Sequence, residues 1–418
     1  MYDYQLTTLP NGVRIASERM PGVRSAALGI WVTTGSREEK ASESGAAHFI
    51  EHMLFKGTPS CSAEELARRM DAIGGQINAF TTKENTCFHA RCLDTHLREA
   101  LDILCDMFFD SAFAESDVET ERGVILEEIG MYADDPADLV SERLFAAVFH
   151  GSPLGRPILG RKATLNKMTG AWLKDYKERH YTGDRVVVTL AGSFDDGILE
   201  ELKDRFSVMA PGKPQHLKPV AVQDSIVAKR KATEQNHLLV AFPSITDRDP
   251  RKYQMQLLSS ILGGGMSSRL FQQVREKNGL CYSVYTFGTS HEEVGLFSVY
   301  TALNQEQEPR AIACIRDVLT DFLQNGPTQQ ELELAREQSK ANVLMGLEAT
   351  SARMSHLARC LLREGKFLTP DDIIACYDAV TRDEVLQLAR DTFDFDHVSF
   401  SAVGRVAQPE EYRRMLRS

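Results

Sequence analysis

The sequence predicts an α+β protein of two homologous domains, each a mainly antiparallel sheet packed with helices. Three observations carry this. The chain has 418 residues, longer than one hydrophobic core usually serves. Strand-like and helix-like patterns are mixed without strict βαβ alternation. The second half also repeats features of the first at a nearly constant offset, as internal duplication would produce.

The elements follow in order. YQLTTLPNGVRIASERMP places an Asn-Gly turn between two short alternating runs, and VRSAALGIWVTTGS continues with a β-branched strand pattern. Helical periodicity then appears in GAAHFIEHMLF, SAEELARRMDAIG, THLREALDILCDMFF and AESDVETERGVILEEIGMYA, with the hairpin-like QINAFTTKENTCFHARCL among them. SVMAPGKPQHLKPVAVQDS holds three prolines and sparse periodicity, which marks a linker. The expected division is a domain over residues 1–208, a linker over 209–226 and a second domain over 227–418.

The halves align without gaps from Met168 and Val380, so that Thr169/Thr381, Asp184/Asp396, Val186/Val398 and Gly192/Gly404 are identical. A second register, two residues longer, pairs SDVETERGV with QELELAREQ. It sets Glu121 against Ala335 and Glu128 against Asn342, and the second half offers no counterpart to the clustered His48 and His52. One half is expected to carry the chemistry, the other to be its modified copy.

Composition narrows the function. Apolar residues make up 43% and charged residues 26%, which suits an ordinary soluble globular protein. The net charge of −11 argues against a nucleic-acid partner and leaves basic peptides as suitable ligands. No apolar run approaches the roughly 18 residues that would span a bilayer, and the N-terminal stretch lacks a basic region followed by an apolar signal core. A cytoplasmic protein without membrane association is expected. The eight cysteines form no CxxC pair and read as buried free thiols.

Within GAAHFIEHMLFKGT, positions i, i+3 and i+4 share one helix face, so His48, Glu51 and His52 project together. Two imidazoles one turn apart suit one zinc ion, whose catalytic sites take three protein ligands and keep a fourth position for water. ETERGVILEEIG offers the third: Glu121 and Glu128 nearly eclipse on one helix face, and Glu127 points about a quarter turn away. Glu128 is the chosen ligand, Glu121 an auxiliary carboxylate, and Glu127 stays the rival on spacing alone. Glu51 is then free to act as general base towards a metal-activated water and to return the proton to a leaving amine.

HxxEH is the inverse zincin motif. With it, HFIEHMLFKGT and ERGVILEEIGMYADDP closely resemble the M16 family, the pitrilysin and mitochondrial processing peptidase group of zinc endopeptidases. The resemblance covers nearly the whole chain. It implies one zinc per chain held by His48, His52 and Glu128, with Glu121 supporting catalysis. In GGQINAFTTKENTCF it points to Asn78, Ala79 and Phe80 as the sheet edge that receives substrate, an edge able to pair with an extended peptide. In LGGGMSSRLFQQVREKNGLCYSVYTF, Arg275 and Tyr282 match the RxxxxxxY pair that holds substrate and stabilises the tetrahedral intermediate. Without the resemblance they read as a surface helix residue and a half-buried strand residue. Gly263–Gly265 lack the GK[ST] of a phosphate loop and read as a flexible or close-packed turn.

The family encloses a chamber with four α+β domains. A two-domain chain therefore implies a homodimer in which Arg275 and Tyr282 act in trans on unfolded or extended peptides. The competing expectation, from a different class, is a noncatalytic structural or peptide-binding subunit, since some M16 relatives have lost the metal motif.

Overall fold

The computed structural model describes residues 3–213 and 219–417, so positions 214–218 of the expected linker lie outside the described residues. Its strands are β1 (Asp3–Thr8), β2 (Arg14–Arg19), β3 (Ser25–Val32), β4 (Gln76–Thr81), β5 (Thr86–Leu93), β6 (Val186–Gly192), β7 (Ile226–Arg230), β8 (Asn236–Ser244), β9 (Ser283–Ser290), β10 (Gly295–Leu303) and β11 (Ser399–Gly404). They form two sheets, ordered β1-β2-β6-β3-β5-β4 and β7-β11-β8-β10-β9. Apart from β1, the second sheet repeats the first strand for strand. Each contains one parallel pair, β2 with β6 and β7 with β11, and every other pairing is antiparallel.

The residues shared by the halves do equivalent local work. Thr169 and Thr381 each cap a helix, taking the N–H of Trp172 and of Glu384 onto their hydroxyls. Gly192 and Gly404 end β6 and β11 at φ +125° and +137°, where an added Cβ would lie 2.3 Å from Ser25 O and 2.2 Å from Asn236 Oδ1. A shared conformational demand explains why both stayed glycine.

The five helices needed for the site are α1 (Ala46–Leu54), α2 (Ala63–Ala72), α3 (Leu97–Asp110), α4 (Glu115–Asp134) and α5 (Pro136–Val148). One face of the first sheet packs against α1, α2 and α3, with Leu28, Ile30, Phe49, Ile50, Met70, Phe88, Leu104 and Phe108 in its core. The other face is covered by the helix Thr350–Arg359, whose Met354, Leu357 and Ala358 meet Ala16, Ala27, Trp31, Cys87, Val187 and Ala191. In the second unit α5 covers one sheet face, with Val140, Leu144 and Val148 against Leu239, Leu296, Tyr300 and Val403. Being covered on both faces explains why β3, β6, β8 and β10 read as near-continuous apolar runs rather than as alternation.

The compact units are consequently not contiguous in sequence. One comprises Met1–Ile129, Arg156–Lys218 and Met345–Thr369; the other comprises Gly130–Gly155, Pro219–Leu344 and Pro370–Ser418. Relative to a division at 208 and 227, the segment with α5 joins the second unit, and the segment with Thr350–Arg359 joins the first. The cause is the second apolar face of each sheet, which is covered by a helix encoded in the opposite half. None of the eight cysteines forms a disulfide, and five of them are buried. Among the described residues no helix is long and apolar enough to cross a membrane.

Candidate metal centre

Helix α1 is held in place by its apolar side chains. Ala46, Ala47, Phe49, Ile50, Met53 and Leu54 are all fully buried, which leaves His48, Glu51 and His52 on the remaining face. Its N-terminus is capped from a distance: the buried Glu39 carboxylate accepts the N–H of Gly45 at 2.8 Å and of Ala47 at 2.9 Å, on separate oxygens. Along α4, Val118 and Ile125 enter the same core, and Glu121 and Glu128 each follow one of them by three residues. Packing of these apolar and small positions thus aims the polar ones.

The outcome is convergence. His48 Nε2 lies 3.6 Å and His52 Nε2 3.7 Å from Glu128 Oε2, and one donor atom from each of the three lies within 4.8 Å of the others. These separations are too long for hydrogen bonds. They are close to the ~3.4 Å between ligand atoms of a tetrahedral zinc ion with bonds of about 2.0–2.1 Å. Glu128 Oε2 is buried without a hydrogen-bond partner, a costly state for a carboxylate oxygen unless a cation sits beside it. Burial and the neighbouring His52 push His48 down to about 3, so it stands as the neutral imidazole that a metal needs. Burial raises Glu128 against the pull of His52. By geometry and donor chemistry the three residues fit a zinc ion. Glu127, the rival by spacing, is exposed and outside the group.

Around this group the two histidines differ. His52 Nδ1 lies 2.9 Å from Glu121 Oε2, and Lys56 Nζ lies 2.6 Å from Glu121 Oε1. A carboxylate paired with lysine only accepts, so the ring donates Nδ1–H and keeps its Nε2 lone pair towards Glu128 and the metal position. His48 Nδ1 is buried and has no such partner. Glu51 is not one of the three converging residues. Its Oε2 accepts the hydroxyl of Thr81 at 2.5 Å, and burial raises its carboxyl against that hydrogen bond and against His52, with Glu128 adding to the rise. A partly buried carboxyl whose pKa is raised from its ordinary value, close to His52 and Glu128, suits proton transfer.

Strand β4 is the last strand of its sheet, so one of its edges carries no strand partner among the described residues. Of the three expected substrate residues, Ala79 packs towards the core, whereas Asn78 and Phe80 are exposed. Phe80 meets Trp31 edge to face at 5.6 Å. In the second unit Arg275 lies on a π-helical stretch, Phe271–Lys277, its guanidinium 4.6 Å from the Phe271 ring and 4.8 Å from the Tyr282 ring. Tyr282 is 72% exposed, a correction to the half-buried strand position read from the residues alone, because it precedes β9. Arg275 and Tyr282 are thus brought together within one unit. Gly263 ends a helix, and a Cβ there would lie 2.6 Å from Thr286 N, whereas one at Gly265 would meet nothing within 4 Å, so the glycine run is close-packed at its start and open at its end.

Comparison with known proteins is consistent with this geometry. Residues 14–162 match the model described as insulinase (peptidase family M16), and residues 167–339 match the peptidase M16 inactive domain. An uncharacterized zinc protease of Bacillus subtilis, YmxG, is 42% identical over 93% of this chain and 96% of its own length. The chain belongs to peptidase family M16. Another relative, an uncharacterized zinc protease of Streptomyces coelicolor, is 39% identical over 97% of this chain and 91% of its own. Two solved structures share the fold: an M16 inactive domain of Pseudomonas fluorescens (TM-score 0.90, 21% identity, 97% of this chain and 99% of that one) and a protease from Helicobacter pylori (TM-score 0.88, 19% identity, 97% and 100%). In this M16 chain the His48, His52 and Glu128 group falls in the first matched segment, and Arg275 and Tyr282 fall in the second.

Sequence reasoning missed Lys56, Thr81 and Glu39. Lys56 stands four residues after His52, a usable helical signal. Thr81 continues the inward alternation of Ile77 and Ala79. Nothing local marks Glu39.

Proposed function

We propose that this chain is a zinc-dependent endopeptidase of the HxxEH type, acting on unfolded or extended peptides. The observation that carries the reading is the convergence of His48 Nε2, His52 Nε2 and Glu128 Oε2, with Glu51 beside them and outside the ligand set. Each chain would hold one zinc ion, which when bound supplies Lewis acidity towards a carbonyl and makes water more acidic. Glu51 takes a proton from the attacking water and passes it to the leaving amine. Glu121, braced by Lys56, holds the His52 ring. The free edge of β4, at Asn78, Ala79 and Phe80, pairs with the peptide main chain, which selects for extended substrate rather than for sequence.

Arg275 and Tyr282 donate hydrogen bonds to the substrate carbonyl as it gains negative charge. The stacking of the Arg275 guanidinium on two rings supports this role, since it narrows the directions in which the fork can donate. We assign them in trans, in a homodimer that closes a chamber around the substrate. A cytoplasmic setting accords with eight cysteines that form no disulfide.

Metal analysis and cleavage-site mapping on a mixed peptide library, with and without a zinc chelator, test the proposal. Stoichiometric zinc, chelator-sensitive cleavage and an inert Glu51→Gln that keeps its zinc are expected. A metal-free, inert wild type would instead favour a noncatalytic subunit. Equal rates on a large folded protein and on a short peptide would remove the chamber.

A further inference from the structure

Thr81 joins two parts of the site that the chain keeps 30 residues apart. It is the last residue of β4, where its main chain pairs with Thr86 of β5 while the opposite edge of the strand has no strand partner among the described residues. Ile77 and Ala79 lie on the core side of β4, and Thr81 follows them by strand alternation. Its hydroxyl reaches across to α1 and donates to Glu51 Oε2. The terminal torsion of a glutamate is broad and poorly fixed by its own rotamer preferences, so a carboxylate needs an outside partner to hold one orientation. Thr81 engages Oε2 and leaves Oε1 to receive a proton.

We infer that Thr81 is a positioning residue that couples occupancy of the β4 edge to the orientation of the Glu51 carboxylate. This rests on the proposed roles of Glu51 as base and of β4 as the peptide-binding edge. A peptide that adds as a neighbouring strand supplies a second ladder of hydrogen bonds to β4 and removes freedom from its terminal residue. The hydroxyl is steadied, and through it the base. A peptide too short to pair along β4 reaches the same base without that steadying, so chain length raises kcat as well as affinity.

The test compares Thr81→Val, which keeps the shape and removes the donor, with Thr81→Ser, which restores it. Each is assayed as zinc-loaded full-length protein on an extended peptide of roughly ten residues and on a capped tripeptide, the longer able to span β4 at about 3.3 Å per residue. The kcat ratio of long to short substrate is expected to fall about tenfold in Thr81→Val, with KM for the long peptide within about twofold of wild type. Thr81→Ser is expected to recover most of the ratio, and zinc content should match wild type in both.

An unchanged ratio in Thr81→Val, an equal loss on both substrates, or a loss that serine does not repair overturns the coupling. A rise in KM without a fall in kcat overturns it too, since that is the mark of lost substrate binding alone. Normal hydrolysis by Glu51→Gln removes the underlying reading, and the coupling with it, and is distinguishable because it needs no variant of Thr81.

Discussion

The two units share a sheet order, a helix cap and a strand-ending glycine, yet they treat equivalent helix positions in opposite ways. In α4 the first unit buries Glu121, paired with His52 and Lys56, and directs Glu128 at two imidazoles. In the helix Gln329–Gly346 the aligned residues are Ala335, buried in an apolar core, and Asn342. The scaffold therefore does not require the charges. The same strand order forms around alanine at that position, and the first unit carries the desolvation cost of its site.

The most drastic way to sharpen that contrast is to disable the chemistry while keeping the frame. Glu51→Gln should lower kcat by about 10²–10⁴ in a peptide-cleavage assay with zinc content unchanged. The next step leaves the ligands and removes their brace. Glu121→Gln should weaken zinc binding by about 10–100-fold in competition with a chelator, because the His52 ring loses a charged acceptor. The reciprocal change writes the charge into the other unit: Ala335→Glu should destabilise the protein by about 2 kcal/mol or more in denaturant titration, since Ala335 is buried in an apolar core. A stable Ala335→Glu would mean that the second unit kept a place for the site. Finally, Thr169→Ala and Thr381→Ala should each cost about 1 kcal/mol. A large inequality between these two would break the equivalence of the units.

The legible part of the site was the part written in local spacing. His48, Glu51 and His52 repeat at helical intervals inside an apolar helix, and that interval alone sets their common face. The paired alignment of Thr169 with Thr381 and of Gly192 with Gly404 exposed the duplicated sheets, because caps and left-handed glycines are local requirements. The choice between Glu127 and Glu128 was not legible from spacing, since it depends on how α4 rotates against α1 when Val118 and Ile125 are buried. Glu39 was hidden because its partners are backbone groups, which every sequence has. The helix Thr350–Arg359 was not singled out from the sequence, and periodicity could say only which of its faces is apolar, not which sheet that face meets.

That exchanged helix also sets a schedule. Trp31, Ala27 and Val187 are made early in synthesis, whereas Met354, Leu357 and Ala358, which cover them, emerge only after most of the chain has left the ribosome. A nascent chain that ends near residue 208 has His48, His52 and Glu128 but an uncovered apolar sheet face, so completion of their unit waits on translation of most of the second half. The two units therefore close one after the other: the first receives its last segment, Met345–Thr369, only when most of the chain has been made, and the second waits for Pro370–Ser418.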